Sequence, residues 1–244
     1  MRNIILLILL ISNTAYSQVN IENIRNNKKE SGFYNDTSLS AEFQRGNVKT
    51  SSFELVNRLD YHHEKSHTFL QLSGQIAEQN EKIFKNEAFS HLRFTNMSFG
   101  NIGYELFTQA QYDEFKNLKL RQLNGAGGRF ILHDYKENKL TIGSGIMTDY
   151  EIIVSSQSNF TLRSTSYVAY NNIGKLIETN AVAYFQPSIE NTKDYRILTE
   201  ASISSKLTNK LRLEISINFN YDTLPPEGVL KNDLIIKNIL KYIW

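Results

Sequence analysis

Asp149 and Glu151 stand two residues apart in the run Thr148-Asp-Tyr-Glu151, and that spacing gives the chain its only paired carboxylates with a catalytic look. On a β-strand residues i and i+2 share a face, so the pair could in principle divide acid and base roles. Two arginines, Arg121 and Arg129, lie on the preceding predicted strand, which a tight connection at 135–138 joins to the carboxylate strand. Opposite charges on neighbouring strands more often neutralise one another than do chemistry. The expectation is therefore one lumenal charge network of Arg121, Arg129, Asp149 and Glu151 rather than a catalytic centre.

Other candidate chemistry is weaker. His62, His63 and His67 flank a predicted turn, but no acidic residue completes a recognised metal-ligand spacing, so no metal site is expected. Gly125-Ala-Gly-Gly128 is glycine-rich, yet no helix follows it to present its N-terminus to a phosphate. Glycine inside a strand marks a bend or a close approach instead. No serine occupies a Gly-x-Ser-x-Gly elbow, and no nucleophile–base pairing stands out. The expectation is no enzyme, no cofactor and no catalytic residue.

The elements that must carry these residues are strands. Residues 210–222 alternate without exception, with Leu211, Leu213, Ile215, Ile217, Phe219 and Tyr221 on one face. Lys210, Arg212, Glu214, Ser216, Asn218, Asn220 and Asp222 occupy the other. Such a strand divides an apolar environment from a wet one. Similar alternation recurs elsewhere: Phe53, Leu55, Leu59 and Tyr61 oppose Glu54, Arg58, Asp60 and His62. Twelve strands are predicted, near 37–45, 48–62, 66–78, 87–98, 101–115, 118–134, 139–152, 159–171, 174–187, 194–207, 210–223 and 233–244. The segments 118–134 and 174–187 alternate poorly.

Connections after every second strand are short, whereas the opposite set, such as 78–86, 153–158, 188–193 and 224–232, is longer. Gly46-Asn47 is the exception, a tight hairpin among the long set. An even strand number with short turns at one end and longer loops at the other matches bacterial outer-membrane barrels. The fold expected is all-β, an antiparallel transmembrane β-barrel of the outer-membrane type with about 12 strands.

The two ends of the chain add compartment and assembly cues. Arg2, the apolar run Ile4 to Ile11 and the Ala15-Tyr-Ser17 site read as a signal peptide over residues 1–17. That run is shorter than the ~20 residues a spanning helix needs. Residues 18–36 then form a periplasmic N-terminal segment and 37–244 the barrel. The chain has no cysteine, which excludes lipoprotein anchoring, disulfides and thiolate metal sites. At the other end Leu240, Tyr242 and Trp244 share a face and form an aromatic C-terminal assembly signal. A net charge of +2 gives no indication of a nucleic-acid partner.

Four stretches resemble a known family. They are Leu39-Ser-Ala-Glu-Phe-Gln-Arg-Gly-Asn-Val48, Arg121-Gln-Leu-Asn-Gly-Ala-Gly-Gly-Arg129, Leu140-Thr-Ile-Gly-Ser-Gly-Ile-Met-Thr-Asp-Tyr-Glu151 and Tyr221-Asp-Thr-Leu-Pro-Pro-Glu-Gly-Val-Leu-Lys-Asn-Asp233. In order and spacing they are similar to the salt-induced outer-membrane protein family, domain of unknown function 481. The resemblance implies an outer-membrane barrel and no established activity. Its partners would be outer-membrane lipids and the barrel-assembly machinery, with the oligomeric state left open. Two functions follow as expectations. One is a structural or stress-related envelope barrel, or a narrow solute channel. The other is a secreted soluble β-barrel binding a small hydrophobic ligand.

Overall fold

The computed structural model describes residues 31–44, 49–154, 158–208 and 211–242. The predicted signal peptide, residues 18–30, the Gly46-Asn47 hairpin and Trp244 lie outside them. The described chain is almost all strand: β1 (Gly32–Gln44), β2 (Thr50–His63), β3 (Ser66–Gln79), β4 (Lys82–Phe99), β5 (Ile102–Asp113), β6 (Leu118–Tyr135), β7 (Asn138–Ile153), β8 (Asn159–Ile173), β9 (Ile177–Pro187), β10 (Tyr195–Lys206), β11 (Leu211–Asp222) and β12 (Asn232–Tyr242). They form one 12-stranded antiparallel sheet in which spatial order follows chain order from β1 to β12. Among the described residues β1 and β12 are not paired with each other.

Burial along these strands is inverted relative to a soluble protein. On β2 Arg58 and Asp60 are 2% and 3% exposed, while Leu55 and Leu59 on the opposite face are 49% and 39% exposed. The outward face of β11 carries Leu213, Ile215 and Ile217, all exposed, with Ser216 buried between them. An oily soluble core would hide the aliphatic face. Here the sheet curls to enclose the polar one, as a wall with lipid outside requires.

Several boundaries differ from the sequence expectation, each for a local reason. β1 begins at Gly32, taking in residues assigned to the N-terminal segment, because it pairs with β2 as far as Gly32 opposite His62. The longer connection expected over 78–86 is a two-residue turn, with Asn80 and Glu81 at φ 49° and 67°. Both central residues are left-handed, the geometry that matches strand twist in a two-residue hairpin. A register shift between Ala77 and Glu78 had blurred the alternation there. β6 alternates poorly because its ladder with β7 shifts register twice, between Leu118 and Leu120 and between Ile131 and His133. Each shift flips the side-chain phase, so Leu118 and Leu123 are both buried despite their odd separation.

Connections after β2, β4 and β6 are two-residue turns, whereas those after β7, β9 and β11 run over 154–158, 188–194 and 223–231. The sheet therefore has a short-turn end and a long-loop end. The outward face generates a test. Ile203 and Ile215 are directly opposed on β10 and β11 and are 56% and 47% exposed. Ile215→Arg should disfavour bilayer insertion by ~2–4 kcal/mol if it sits near the midplane, and Ile215→Val should insert like the parent. Urea titration of the protein folded into liposomes reads the difference.

Candidate functional site

The polar residues of the curled sheet meet in two charged layers separated by a mostly neutral one. The layer at the long-loop end is built on β7, where Asp149 and Glu151 both point inward. Arg121 lies opposite Glu151 in the β6–β7 ladder, and its Nε is 2.6 Å from Glu151 Oε1 and 4.0 Å from Asp149 Oδ1. Arg196 reaches in from β10 and donates to Asp149 Oδ2 and Glu151 Oε1, both at 2.6 Å, and to Asp222 Oδ2 at 2.8 Å. Arg163 of β8 donates to Asp149 Oδ2 at 2.9 Å and grips Asp194 from the 188–194 loop at 2.9 Å. Three arginines thus face four carboxylates. Each of Asp149 and Glu151 accepts hydrogen bonds from two guanidinium groups.

Arg129 is not part of this layer. It pairs with Gly143 on β7, six residues before Asp149 and therefore ~20 Å along the strand. It belongs to the layer nearer the short-turn end, centred on Glu105 of β5. Arg129 Nη1 donates to Glu105 Oε1 at 3.4 Å and to the Tyr167 hydroxyl at 2.8 Å, and that hydroxyl donates to Glu105 Oε2 at 3.0 Å. Arg93 Nη1 donates to Glu105 Oε2 at 3.3 Å, and its guanidinium lies 4.8 Å from the centre of the Phe107 ring.

The glycines of β6 and β7 make these rings possible. A side chain at Gly125 would collide with the Phe107 ring, and one at Gly143 with the Tyr167 ring. The close approach anticipated for strand glycines is thus the outer end of an aromatic ring set against a bare backbone. Between the charged layers lies a cavity lined by His91, Gln109, Leu123, Met147, Leu198 and Asn220.

A third grouping sits at the short-turn end beside the Glu64-Lys65 turn. His62 and His67 are directly opposed across the β2–β3 hairpin, and Asp60 shares their face two residues away. The ligand atoms of all three lie within 4.8 Å of one another. The sequence reading passed over this set, since the acidic residue it looked for stands at Asp60. The signal was present: Asp60-x-His62 shares a face, and a two-residue turn pairs 62 with 67.

Sequence reading also missed Arg163 and Arg196 as partners of Asp149: Arg163 is a diagonal neighbour on adjacent β8, two residues from Thr161 opposite Asp149, and Arg196 comes from β10, which shares no ladder with β7. Of the C-terminal assembly signal, the side chains of Leu240 and Tyr242 and all of Trp244 lie outside the described residues. The backbone of β12 pairs with β11 as far as Leu211 opposite Tyr242. Leu234 and Ile236, on the same face as that signal, are exposed.

The family model described as a protein of unknown function, DUF481, matches residues 37–244. The chain belongs to this family. The DUF481 region covers the whole described sheet from the middle of β1 onward, and its family description assigns no activity. Among solved structures, the β domain of the Bordetella autotransporter Brka is similar with a TM-score of 0.41 at 8% identity, over 87% of this chain and 98% of that one. Among curated proteins no sequence matches the chain.

The layered lumen of this DUF481 protein predicts selective energetic coupling. Asp149→Ala removes a carboxylate shared by the buried Arg163 and Arg196, which keep Asp194, Glu151 and Asp222, and should cost up to ~3–5 kcal/mol. Arg196→Ala combined with Asp149→Ala should be markedly non-additive, whereas Arg129→Ala with Asp149→Ala should add, because the second pair shares no partner. Unfolding midpoints of the single and double variants measure both couplings.

Proposed function

We propose that this chain is a non-enzymatic outer-membrane barrel, a structural or stress-related envelope element whose lumen is occluded by its own ion pairs. The observation that carries the reading is Arg196. It crosses from β10 to Asp149 and Glu151 on β7, three strands away and therefore ~14 Å along the wall. Tyr167 of β8 likewise reaches Glu105 of β5. Side chains that line an open pore project into water, whereas these form chords across the interior. At the long-loop end Lys116 Nζ reaches Asp233 of β12 at 3.3 Å, drawing the β5–β6 connection towards the far side of the sheet.

Outer-membrane lipids would cover the aliphatic exterior, and the barrel-assembly machinery would close the sheet. Closure matters physically, because a free β1 or β12 edge in hydrocarbon would leave backbone groups unpaired. In this reading β1 and β12 meet in the membrane.

A narrow solute channel is the second reading, favoured by the cavity between the charged layers, whose lining is mostly uncharged apart from Arg93 and Glu200. A secreted soluble barrel with a hydrophobic ligand is opposed by the exposed aliphatic face, since such a barrel keeps its apolar residues inside. Fractionation and conductance test the proposal together. The protein should stay with outer membranes until detergent is added, and the parent should pass negligible current in planar bilayers. Paired removal of Asp149 and Arg196 as alanines should raise the current. Release into buffer without detergent, or a large steady parent conductance, would contradict it.

A further inference from the structure

We propose that Asp60, His62 and His67 form a binding site for a divalent transition-metal ion of the zinc and copper class, at the short-turn end of the sheet. The backbone of the β2–β3 hairpin brings the three together. A two-residue turn at Glu64-Lys65 sets His62 opposite His67, and the two imidazoles stack with centroids 4.1 Å apart. His67 Nε2 is already 2.7 Å from Asp60 Oδ1. Ligands of a tetrahedral ion with bonds of ~2.1 Å stand roughly 3.4 Å apart, so donors now within 4.8 Å need only side-chain rotation to close on an ion.

The donor set points to the metal class. Two imidazoles and one carboxylate suit zinc, copper or cobalt, whereas calcium and magnesium require oxygen ligands. Three protein ligands leave a fourth position for water, and the structure provides room for it. Opposite His62 on β1 stands Gly32, and nothing lies within 4 Å of where its side chain would begin. Asp60 is also held by a bidentate arginine. Arg58 Nε donates to Asp60 Oδ2 and Nη2 to Oδ1, each at 2.8 Å, and the Arg58 guanidinium lies 3.9 Å over the Phe69 ring. Coordination through Oδ1 keeps the Nε bond and shares Oδ1 between the ion and Nη2, so Arg58 is a positioning residue that fixes the carboxylate. Its charge also tempers the affinity, since it partly neutralises the ligand. When the ion binds, His67 turns its Nε2 lone pair from Asp60 to the metal and carries its proton on Nδ1.

The test uses the full chain, folded in detergent and purified without a histidine tag, with Zn²⁺ in equilibrium dialysis and Co²⁺ as a visible-absorbing substitute. One equivalent of either ion should bind per chain, with a tetrahedral cobalt spectrum. His62→Ala and His67→Ala should each weaken binding about tenfold or more, and Arg58→Lys should weaken it about tenfold while keeping one equivalent. His63→Ala should bind like the parent, because His63 sits on the outer face of the same hairpin, stacked on Tyr61. Circular dichroism confirms folding of each variant, and if His67→Ala does not fold, His62→Ala decides. Sub-stoichiometric binding, parent-like binding by His62→Ala, or an equal loss in His63→Ala would overturn the site and leave Asp60 and His67 as an ion pair alone.

Discussion

A buried guanidinium cannot give up its charge, and this constraint organises the interior of the sheet. Arg58, Arg93, Arg129, Arg163 and Arg196 are all under 7% exposed, and every one must find carboxylates or rings inside a curved wall. Arg196 meets Asp149, Glu151 and Asp222, while Arg163 meets Asp149 and Asp194. Arg163–Asp149 and Arg196–Asp222 join adjacent strands, whereas the contacts of Arg196 with Asp149 and Glu151 tie together strands that share no backbone ladder. The backbone hydrogen bonds set which strands are neighbours, and the arginine chords set how tightly the wall bends.

The cost of that arrangement is desolvation, several kcal/mol per ion before pairing. Two features offset it. Carboxylates are shared between two arginine donors, as Asp149 and Glu151 are. Aromatic faces take up the remainder: Arg58 lies over Phe69 and Arg93 beside Phe107. Glycines at 125 and 143 give the Phe107 and Tyr167 rings their positions, linking a sequence feature that suggests flexibility to one that stiffens the lumen. Outside, Leu213, Ile215 and Ile217 are exposed beside the polar Ser205 and Asn238, and lipid rather than protein would supply the cover.

Much of this was legible in the amino-acid order. The period-two alternation of 210–222 marked both faces of β11, and similar patterns marked the other strands, because side-chain direction in a ladder is a local property. Arg121 with Glu151 was readable for the same reason, as neighbours across a short hairpin. Arg129 was misplaced, since sharing a strand and face with Arg121 says nothing of the eight residues between them. Arg196 could not be assigned to Asp149, because contact across non-adjacent strands depends on curvature, whereas Arg163 was a diagonal neighbour on adjacent β8 whose pairing rests on the β7–β8 register. Asn80-Glu81 concealed a tight turn by lacking glycine, and the register shifts in β6 hid its phase. His62 and His67 were seen, but as isolated residues beside a turn rather than partners of Asp60.

The central claim is that aliphatic faces meet lipid while charged faces close on one another. The absence of native cysteine makes that claim directly measurable. Single cysteines at Ile203, Ile215, Ser216 and Asn218, each carrying a small fluorophore, can be compared in liposomes containing brominated lipids. Fluorophores at 203 and 215 should be strongly quenched by the lipid and those at 216 and 218 should be unaffected. Quenching at 216 and 218 with none at 203 and 215 would mean that the apolar face is turned inward and the protein does not sit in a membrane.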